Sequence, residues 1–223
     1  MKAHHPELIL AFQRHQPSTP DTRPAHRLVR TWGLLLTLMS SVLLGGCGIN
    51  NIPTFDEAVN GAWSEVQNQY KRRADLIPNL IETVKAYAKQ EEDVLLQVVE
   101  ARNKVSQMNV TPETLTDPAA FEQFQQNQGA LSSALSRLLV VVESYPELKS
   151  NENFLALQSQ LEGTENRIAV ARRDYIQKVQ RYNTELRTIP GRWWRRFMYP
   201  DSRIKENFSV ANEDTELPKV NIN

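Results

Sequence analysis

The chain has 223 residues, and its 26 Lys+Arg are balanced by 26 Asp+Glu, so no net charge would recruit nucleic acid by bulk electrostatics. Its single cysteine excludes an intramolecular disulfide bond. Eight glycines and a mean hydropathy of −0.49 describe a chain that favours helices and exclude a polytopic membrane protein.

Residues 1–30 predict a disordered, positively charged N-terminal segment. They contain all four histidines and four of the twelve prolines, with almost no apolar periodicity. Such a composition cannot form a hydrophobic core. Arg23, Arg27 and Arg30 place positive charge directly before an apolar run.

Residues 31–47 predict a signal or anchor segment. The apolar run Trp32–Leu44 has 13 residues, which fits a secretory h-region of about 7–15 residues better than a spanning helix of about 20. Leu44-Gly45-Gly46-Cys47 resembles a bacterial lipobox, in which the cysteine is lipidated and becomes N-terminal after cleavage. The alternative is an uncleaved single-pass anchor over 31–52, in which Cys47 is incidental.

Both alternatives attach the chain to a membrane and place the following domain outside the cytoplasm. Three arginines precede the apolar run, whereas Asp56 and Glu57 follow it. If Cys47 is lipidated, Gly48 follows it, and a residue other than Asp permits export to an outer membrane, so inner and outer membranes both stay open. Without residues 1–47 the chain has 21 basic and 24 acidic side chains, a net charge of −3, and no His or Cys.

Residues 48–208 predict a domain of long helices, because apolar residues recur every three or four positions. A capping box at Thr54 and Glu57 predicts the start of the first helix, which would run to Met108 over roughly 80 Å. Pro78 predicts a kink or a restart in this helix, and the sequence leaves open which of the two occurs.

Two further helices follow. Asp117-Pro118 supplies a cap and a first-turn proline for the second helix, which Pro146 ends. The third begins near Ser150 or Asn151, carries an apolar stripe to Ile189, and stops at the Pro-Gly pair that follows. The 3-4 spacing and short loops favour antiparallel packing, and a bend near Pro78 would give four packed segments. Residues 209–223 are predicted to form an extended C-terminal tail.

Three segments resemble the LemA family. They are KRRADLIPNLIETVKAYAKQEE (71–92), LSRLLVVVESYPELKSNENFLALQSQLEGTENRIAVARRDYIQKVQRYN (135–183) and PKVNI (218–222). The resemblance covers roughly 52–208. It implies an N-terminal membrane anchor that carries an antiparallel helical bundle of the four-helix type, and it implies no reaction.

The chain departs from the family pattern at two places. Ile176 follows Tyr175 where the family usually has Asn, and the stretch 192–197 is more basic and aromatic than usual. The family is usually described with a short N-terminus outside the cell, whereas the arginines before the apolar run argue for the reverse orientation here.

The residue types after position 47 argue against catalysis. Without His or Cys there is no nucleophile–base pair, no Glu-x-x-His di-iron site and little basis for zinc binding. No glycine-rich phosphate loop is present, and Glu91-Glu92-Asp93 is interpreted as a solvated helix face. We therefore predict no enzyme activity, no catalytic residue, no metal and no cofactor.

Charged side chains on the predicted helices are interpreted as ion pairs that fix helix register, since desolvation offsets most of their attraction. The alternative is a surface on which a partner docks. Charge reversal at Arg172 separates the two, because lost thermal stability would favour register and lost partner recovery would favour docking. The residues are Arg72, Arg73, Asp75, Glu91, Arg102, Glu143, Glu165, Arg172 and Arg173.

A stretch near the C-terminus interleaves arginines with aromatic residues: Trp193, Trp194, Arg195, Arg196 and Phe197. One interpretation is a short helix that covers one end of the bundle. The other is an interfacial segment that touches lipid headgroups, where Trp and Arg are favoured. The net charge of −3 and the predicted compartment argue against nucleic acid as a partner.

These features predict a non-enzymatic, membrane-tethered helical bundle of the bacterial cell envelope that acts as a scaffold or adaptor. The expected partners are the membrane and unidentified envelope proteins, and a homo-oligomer is compatible with the sequence. The alternative function is a bundle that binds a lipid or a small apolar ligand between its helices.

Overall fold

A computed structural model of the chain describes residues 32–33, 36–37, 48–108 and 110–208. Contacts within the chain divide it into two units, Met1–Cys47 and Gly48–Asn223. The predicted disorder of 1–30, the lipidation of Cys47 and the extended tail 209–223 lie outside the described residues. Within the described part of the chain, no helix is both long enough and apolar enough to cross a membrane.

The second unit is built from helices. No strand is present among its described residues, which confirms the all-α prediction. In chain order the elements are α1 (Asn51–Tyr87), α2 (Glu92–Gln107), a 3-10 helix (Pro112–Thr116), α3 (Pro118–Val142), α4 (Pro146–Lys149), α5 (Glu152–Arg187) and α6 (Gly191–Phe197).

Two of the predicted helix starts are confirmed by their capping bonds. The Asp117 carboxylate accepts hydrogen bonds from the backbone N–H groups of Ala119 at 3.0 Å and Ala120 at 3.2 Å, directly before α3. The Asn151 side chain accepts one from the Phe154 N–H at 3.0 Å, directly before α5. Both caps satisfy N–H groups that a helix leaves unpaired in its first turn.

The predicted start at Thr54 is wrong, and of the two alternatives at Pro78 the restart does not occur. Helix α1 begins at Asn51, and the Thr54 N–H donates to the carbonyl of Asn50 inside its first turn. The helix continues through Pro78 to Tyr87, since fully buried side chains on either side of the proline hold the two halves in the core.

The chain instead reverses at residues 88–91, where the sequence has neither Gly nor Pro. Ala88 is fully buried outside the helical conformation, at φ −119° and ψ 57°. Glu91 accepts a hydrogen bond from the Tyr145 hydroxyl at 2.9 Å, which ties the turn to the end of α3. The turn is therefore fixed by tertiary contacts. At the other end α5 stops at Arg187 and Ile189 is 64% exposed, so its assignment to the buried stripe is wrong.

Two hydrophobic clusters form the core and follow each other along the long helices. The first contains the N-terminal half of α1, the start of α3 and the C-terminal half of α5. The second contains the C-terminal half of α1, most of α2, the rest of α3 and the start of α5. Along the chain, α1 and α3 pass from the first cluster to the second, whereas α5 passes from the second cluster to the first. With the reversal at 88–91 before α2, successive long helices therefore alternate in direction, and α1 packs along α5 while α2 packs along α3.

Candidate functional site

A polar layer lies where the two hydrophobic clusters meet, and its centre is Arg73 on α1. This side chain is only 1% exposed. Its Nη1 donates to Glu165 Oε1 on α5 and to Ser132 Oγ on α3, both at 2.8 Å. Its Nη2 donates to Gln128 on α3, to Oε1 at 2.5 Å and to the backbone carbonyl at 3.3 Å. One guanidinium group therefore joins three helices.

The chemistry of the layer depends on this guanidinium. Its planar fork holds five N–H donors in fixed directions on three nitrogens, whereas a lysine has three donors on a single nitrogen. The ring of Tyr70 lies 5.1 Å from the guanidinium carbon of Arg73. Burial raises the pKa of the Tyr70 hydroxyl, while the positive charges of Arg172 and Arg73 act in the opposite direction. The layer thus holds a neutral phenol beside a cation whose counter-charge is Glu165.

An open groove runs between α3 and α5, and residues of the polar layer form part of its wall. It consists of two adjoining cavities of about 440 Å³ and about 520 Å³, which share Ser132 and Glu165 in their walls. The first cavity is lined mostly by residues with polar side chains, among them Arg73 and Arg172, together with Phe208. The second is lined by three leucines: Leu135, Leu139 and Leu161. We call these two cavities together the α3–α5 groove.

The nine predicted charges do not form one site. The structure brings together only Arg73, Glu165 and Arg172 at the groove. The guanidinium carbon of Arg172 lies 4.4 Å from the centre of the Phe208 ring, within cation–π range.

The other six charges are dispersed over the unit. Glu91 accepts the Tyr145 hydroxyl, which raises the pKa of that tyrosine. Arg102 is half-buried, and its Nε has no hydrogen-bond partner among the described residues. Glu143 pairs with Lys149 at the surface, and the remaining three are exposed: Arg72, Asp75 and Arg173. Within the described ranges, no cluster of His, Cys, Asp and Glu could hold a metal ion.

The basic and aromatic stretch forms α6, which packs against α1 and α5. Trp194 is half-buried against the first hydrophobic cluster, and Arg195 Nε donates to the Ser202 carbonyl at 3.0 Å. Trp193 and Phe197 point away from the core and are 55% and 76% exposed. A Cβ atom on Gly191 would lie 2.2 Å from the Glu185 carbonyl oxygen, so only glycine allows this close approach of α6 to α5.

Sequence reasoning missed a second polar connection, made by Lys205. Its side chain is 7% exposed, and the ammonium nitrogen lies 2.8 Å both from Asp56 Oδ1 and from Asn60 Oδ1 on α1. The Lys205 backbone exchanges two hydrogen bonds with the Asn183 side chain on α5, at 2.8 and 3.0 Å. The two α1 partners are 145 and 149 positions from Lys205 in the chain, and no local pattern marks them.

The extended segment around Lys205 is fixed further by its backbone. The Glu206 N–H donates to the Leu115 carbonyl at 2.7 Å, and the Glu206 carbonyl accepts the Tyr175 hydroxyl at 2.8 Å. Burial raises the pKa of Tyr175, and burial together with the charge of Asp56 raises the pKa of Tyr182 to about 12. The segment therefore closes the end of the unit where α1 begins.

Fold and site together define an all-α protein of long alternating helices, three of which are joined by a buried arginine. Residues 62–222 match the family model of the LemA family, which is more than half of the chain. The chain therefore belongs to the LemA family, and the resemblance is confirmed.

Two curated relatives are the magnetosome proteins MamQ 1 and MamQ 2 of Paramagnetospirillum magneticum. Each is 24% identical to this chain over 183 residues, which is 75% of this chain. The chain spans 66% of the length of these relatives.

Proposed function

We propose that this protein is a non-enzymatic, membrane-tethered helical bundle of the four-helix type that acts as a scaffold or adaptor in the bacterial cell envelope. The observation that carries the proposal is the α3–α5 groove. Few close backbone contacts join α3 to α5 along this face, whereas α1 packs on α5 and α2 packs on α3. The bundle therefore offers an unfilled channel between two of its helices.

The composition of the groove fits a helix of a partner protein. The leucines of its second cavity would accept the apolar stripe of an amphipathic helix, which is how helix-in-groove recognition obtains its affinity. The charges of Arg172 and the half-exposed Glu165 carboxylate would fix the direction in which that helix lies. Envelope proteins with such a helix are the proposed partners.

Membership of the LemA family supports the membrane tether, as does the apolar run 32–44 with its preceding arginines. Intact-mass analysis of the membrane-extracted protein beside a Cys47→Ala variant tests it. A species that begins at Cys47 with added acyl mass would establish a lipoprotein with the bundle outside the cytoplasm. An uncleaved, unacylated chain would instead make the apolar run 32–44 part of a single-pass anchor, since α1 of the bundle already begins at Asn51.

Site-specific photo-crosslinking in cells tests the scaffold role. A photoreactive residue is placed at Ser136 on α3 or at Asn166 on α5, both in the groove wall. Matched controls carry it at Ser133 and Ser159, which are exposed on the same helices and lie outside the groove wall. We expect one discrete protein adduct from the groove positions only, and its loss in Leu139→Glu. Equal adducts from all four positions, or none, would reject the scaffold role.

A second candidate, the binding of a lipid or small apolar ligand, is favoured by the leucine-lined cavity of about 520 Å³. That volume is within the range of small-molecule sites. Native mass spectrometry distinguishes the two functions. Co-purified lipid that disappears in Leu139→Glu would support the ligand-binding alternative, whereas a bound protein would support the scaffold.

A further inference from the structure

The end of the bundle at which α1 begins exposes four large apolar side chains close together in the sequence. Ile189, Trp193, Phe197 and Met198 are 64%, 55%, 76% and 51% exposed. Trp193 and Phe197 are four residues apart on α6 and therefore lie on one face of this helix. A soluble surface rarely leaves such a group of apolar side chains uncovered.

The same surface is strongly basic. Residues 187–203 contain five arginines and one acidic residue, Asp201, although the chain after residue 47 has a net charge of −3. Arg192 and Arg196 are exposed and four residues apart, so they flank the apolar face of α6. Exposed aromatic rings between arginines suit a lipid headgroup region, where the rings enter the interface and the guanidinium groups meet phosphates.

This surface lies where the chain enters the bundle. The Asn51 side chain, in the first turn of α1, donates to Glu185 Oε1 at 3.2 Å, and Glu185 is the residue on which Gly191 packs. Asn51 is four positions from Cys47, where the proposed tether ends. A chain anchored there would bring α6 close to the bilayer surface.

We propose that the face formed by Ile189, Arg192, Trp193, Arg196 and Phe197 binds the surface of an anionic membrane, and we call it the α6 face. This inference rests on the proposed tether and adds an orientation to it. The α6 end lies against the headgroups, and the turn at 88–91 points away, at the far end of a 37-residue helix roughly 55 Å long. The α3–α5 groove would then stand clear of the bilayer.

Fluorescence quenching by brominated phospholipids tests the α6 face in the full chain. A Trp32→Phe background leaves three tryptophans, of which Trp63 is buried and Trp194 half-buried. The chain is reconstituted into vesicles of brominated phosphatidylcholine, with or without one-third phosphatidylglycerol. We expect quenching that disappears on Trp193→Phe and is about twofold stronger with phosphatidylglycerol, because each arginine near an anionic surface adds to the attraction.

A matched pair of double variants tests the arginines. Arg192→Gln with Arg196→Gln should abolish the dependence on phosphatidylglycerol. Arg72→Gln with Arg173→Gln removes the same charge from exposed positions on α1 and α5 and should retain that dependence.

Vesicle flotation of the same samples distinguishes a failure of the α6 face from a failure of the membrane tether. A chain that floats with vesicles while Trp193 is quenched only by aqueous iodide would overturn the α6 face and leave the tether standing. A chain that does not float would reject the tether and the α6 face together. A third outcome is that neither brominated lipid nor iodide quenches Trp193 and that the chain can be cross-linked as a dimer. This outcome would show that a second copy covers the α6 face, and it would overturn the proposal.

Discussion

The Arg73 guanidinium and the Glu165 carboxylate lie 2.8 Å apart and join α1 to α5 where the two hydrophobic clusters meet. Arg73 is almost completely enclosed, whereas the Glu165 side chain is half-exposed. The two charges therefore differ in environment, because the carboxylate already contacts water whereas the guanidinium depends almost entirely on its protein partners. The expected cost of breaking the pair depends on which charge is left behind.

We expect Glu165→Ala to lower the free energy of unfolding by about 1.5–3 kcal/mol, the range for a hydrogen bond to a charged group. Adding Arg73→Met to this variant should recover part of the loss, since it removes the buried charge that lacks a counter-charge. Urea unfolding followed by far-UV circular dichroism measures both. The control is Glu162→Ala, an exposed residue of α5, which should change the stability by less than about 0.5 kcal/mol. A double variant less stable than Glu165→Ala would contradict the role of the buried charge.

Trp63 is the centre of an aromatic group in the first cluster. Its ring centre lies 5.1 Å from that of Phe124, 5.2 Å from Tyr175 and 5.8 Å from Phe121, and only 4% of the residue is exposed. Trp63→Ala should cost about 3–5 kcal/mol of unfolding free energy, because a large cavity would remain. Trp63→Phe should cost less, since Nε1 has no hydrogen-bond partner among the described residues. Equal losses from Trp63→Ala and from the exposed Trp193→Ala would argue against this packing.

Lys205 should matter far more than a surface lysine. Lys205→Met removes the contacts to Asp56 and Asn60 and should cost about 1.5–3 kcal/mol. Amide hydrogen exchange should become faster in residues 202–208, which this lysine fastens to α1. Lys178→Met is the matched control, because Lys178 forms a surface pair with Asp174 at 3.5 Å, worth about 0.3–0.5 kcal/mol. Unchanged exchange in Lys205→Met would show that the backbone bonds of the segment suffice.

The stability should fall in alkali as Tyr182 ionises. Burial and the charge of Asp56 raise the pKa of Tyr182 from 10.0 to about 12 in the folded chain. Because the pKa of this hydroxyl is higher in the folded chain, it ionises first in the unfolded chain. The free energy of unfolding is therefore at its full value below pH 10 and falls as the pH rises toward 12. A tyrosine with such a raised pKa lowers the free energy of unfolding by about 1.4 kcal/mol per pH unit between pH 10 and 12. Urea unfolding of the parent and of Tyr182→Phe between pH 9 and 12 measures the difference, and parallel pH profiles would refute the assignment.

The sequence by itself determined the all-α class, the long helices and several of their ends. Apolar spacing of three and four residues suffices for a helix, and a cap such as Asp117 acts on N–H groups two and three positions away. These signals are local, so they can be read without knowing the rest of the fold. The sequence also singled out Arg73, Glu165 and Arg172 as charges on helical segments.

Only the tertiary structure decided which of those charges meet and where the first long helix breaks. The helix continues through Pro78 because buried neighbours on both sides outweigh one missing backbone bond, and it ends at Ala88, which no turn residue marks. The contacts of Lys205 link residues up to 149 positions apart. Burial, not residue type, separates Arg73 from its neighbour Arg72, and burial follows from how α1, α3 and α5 pack together.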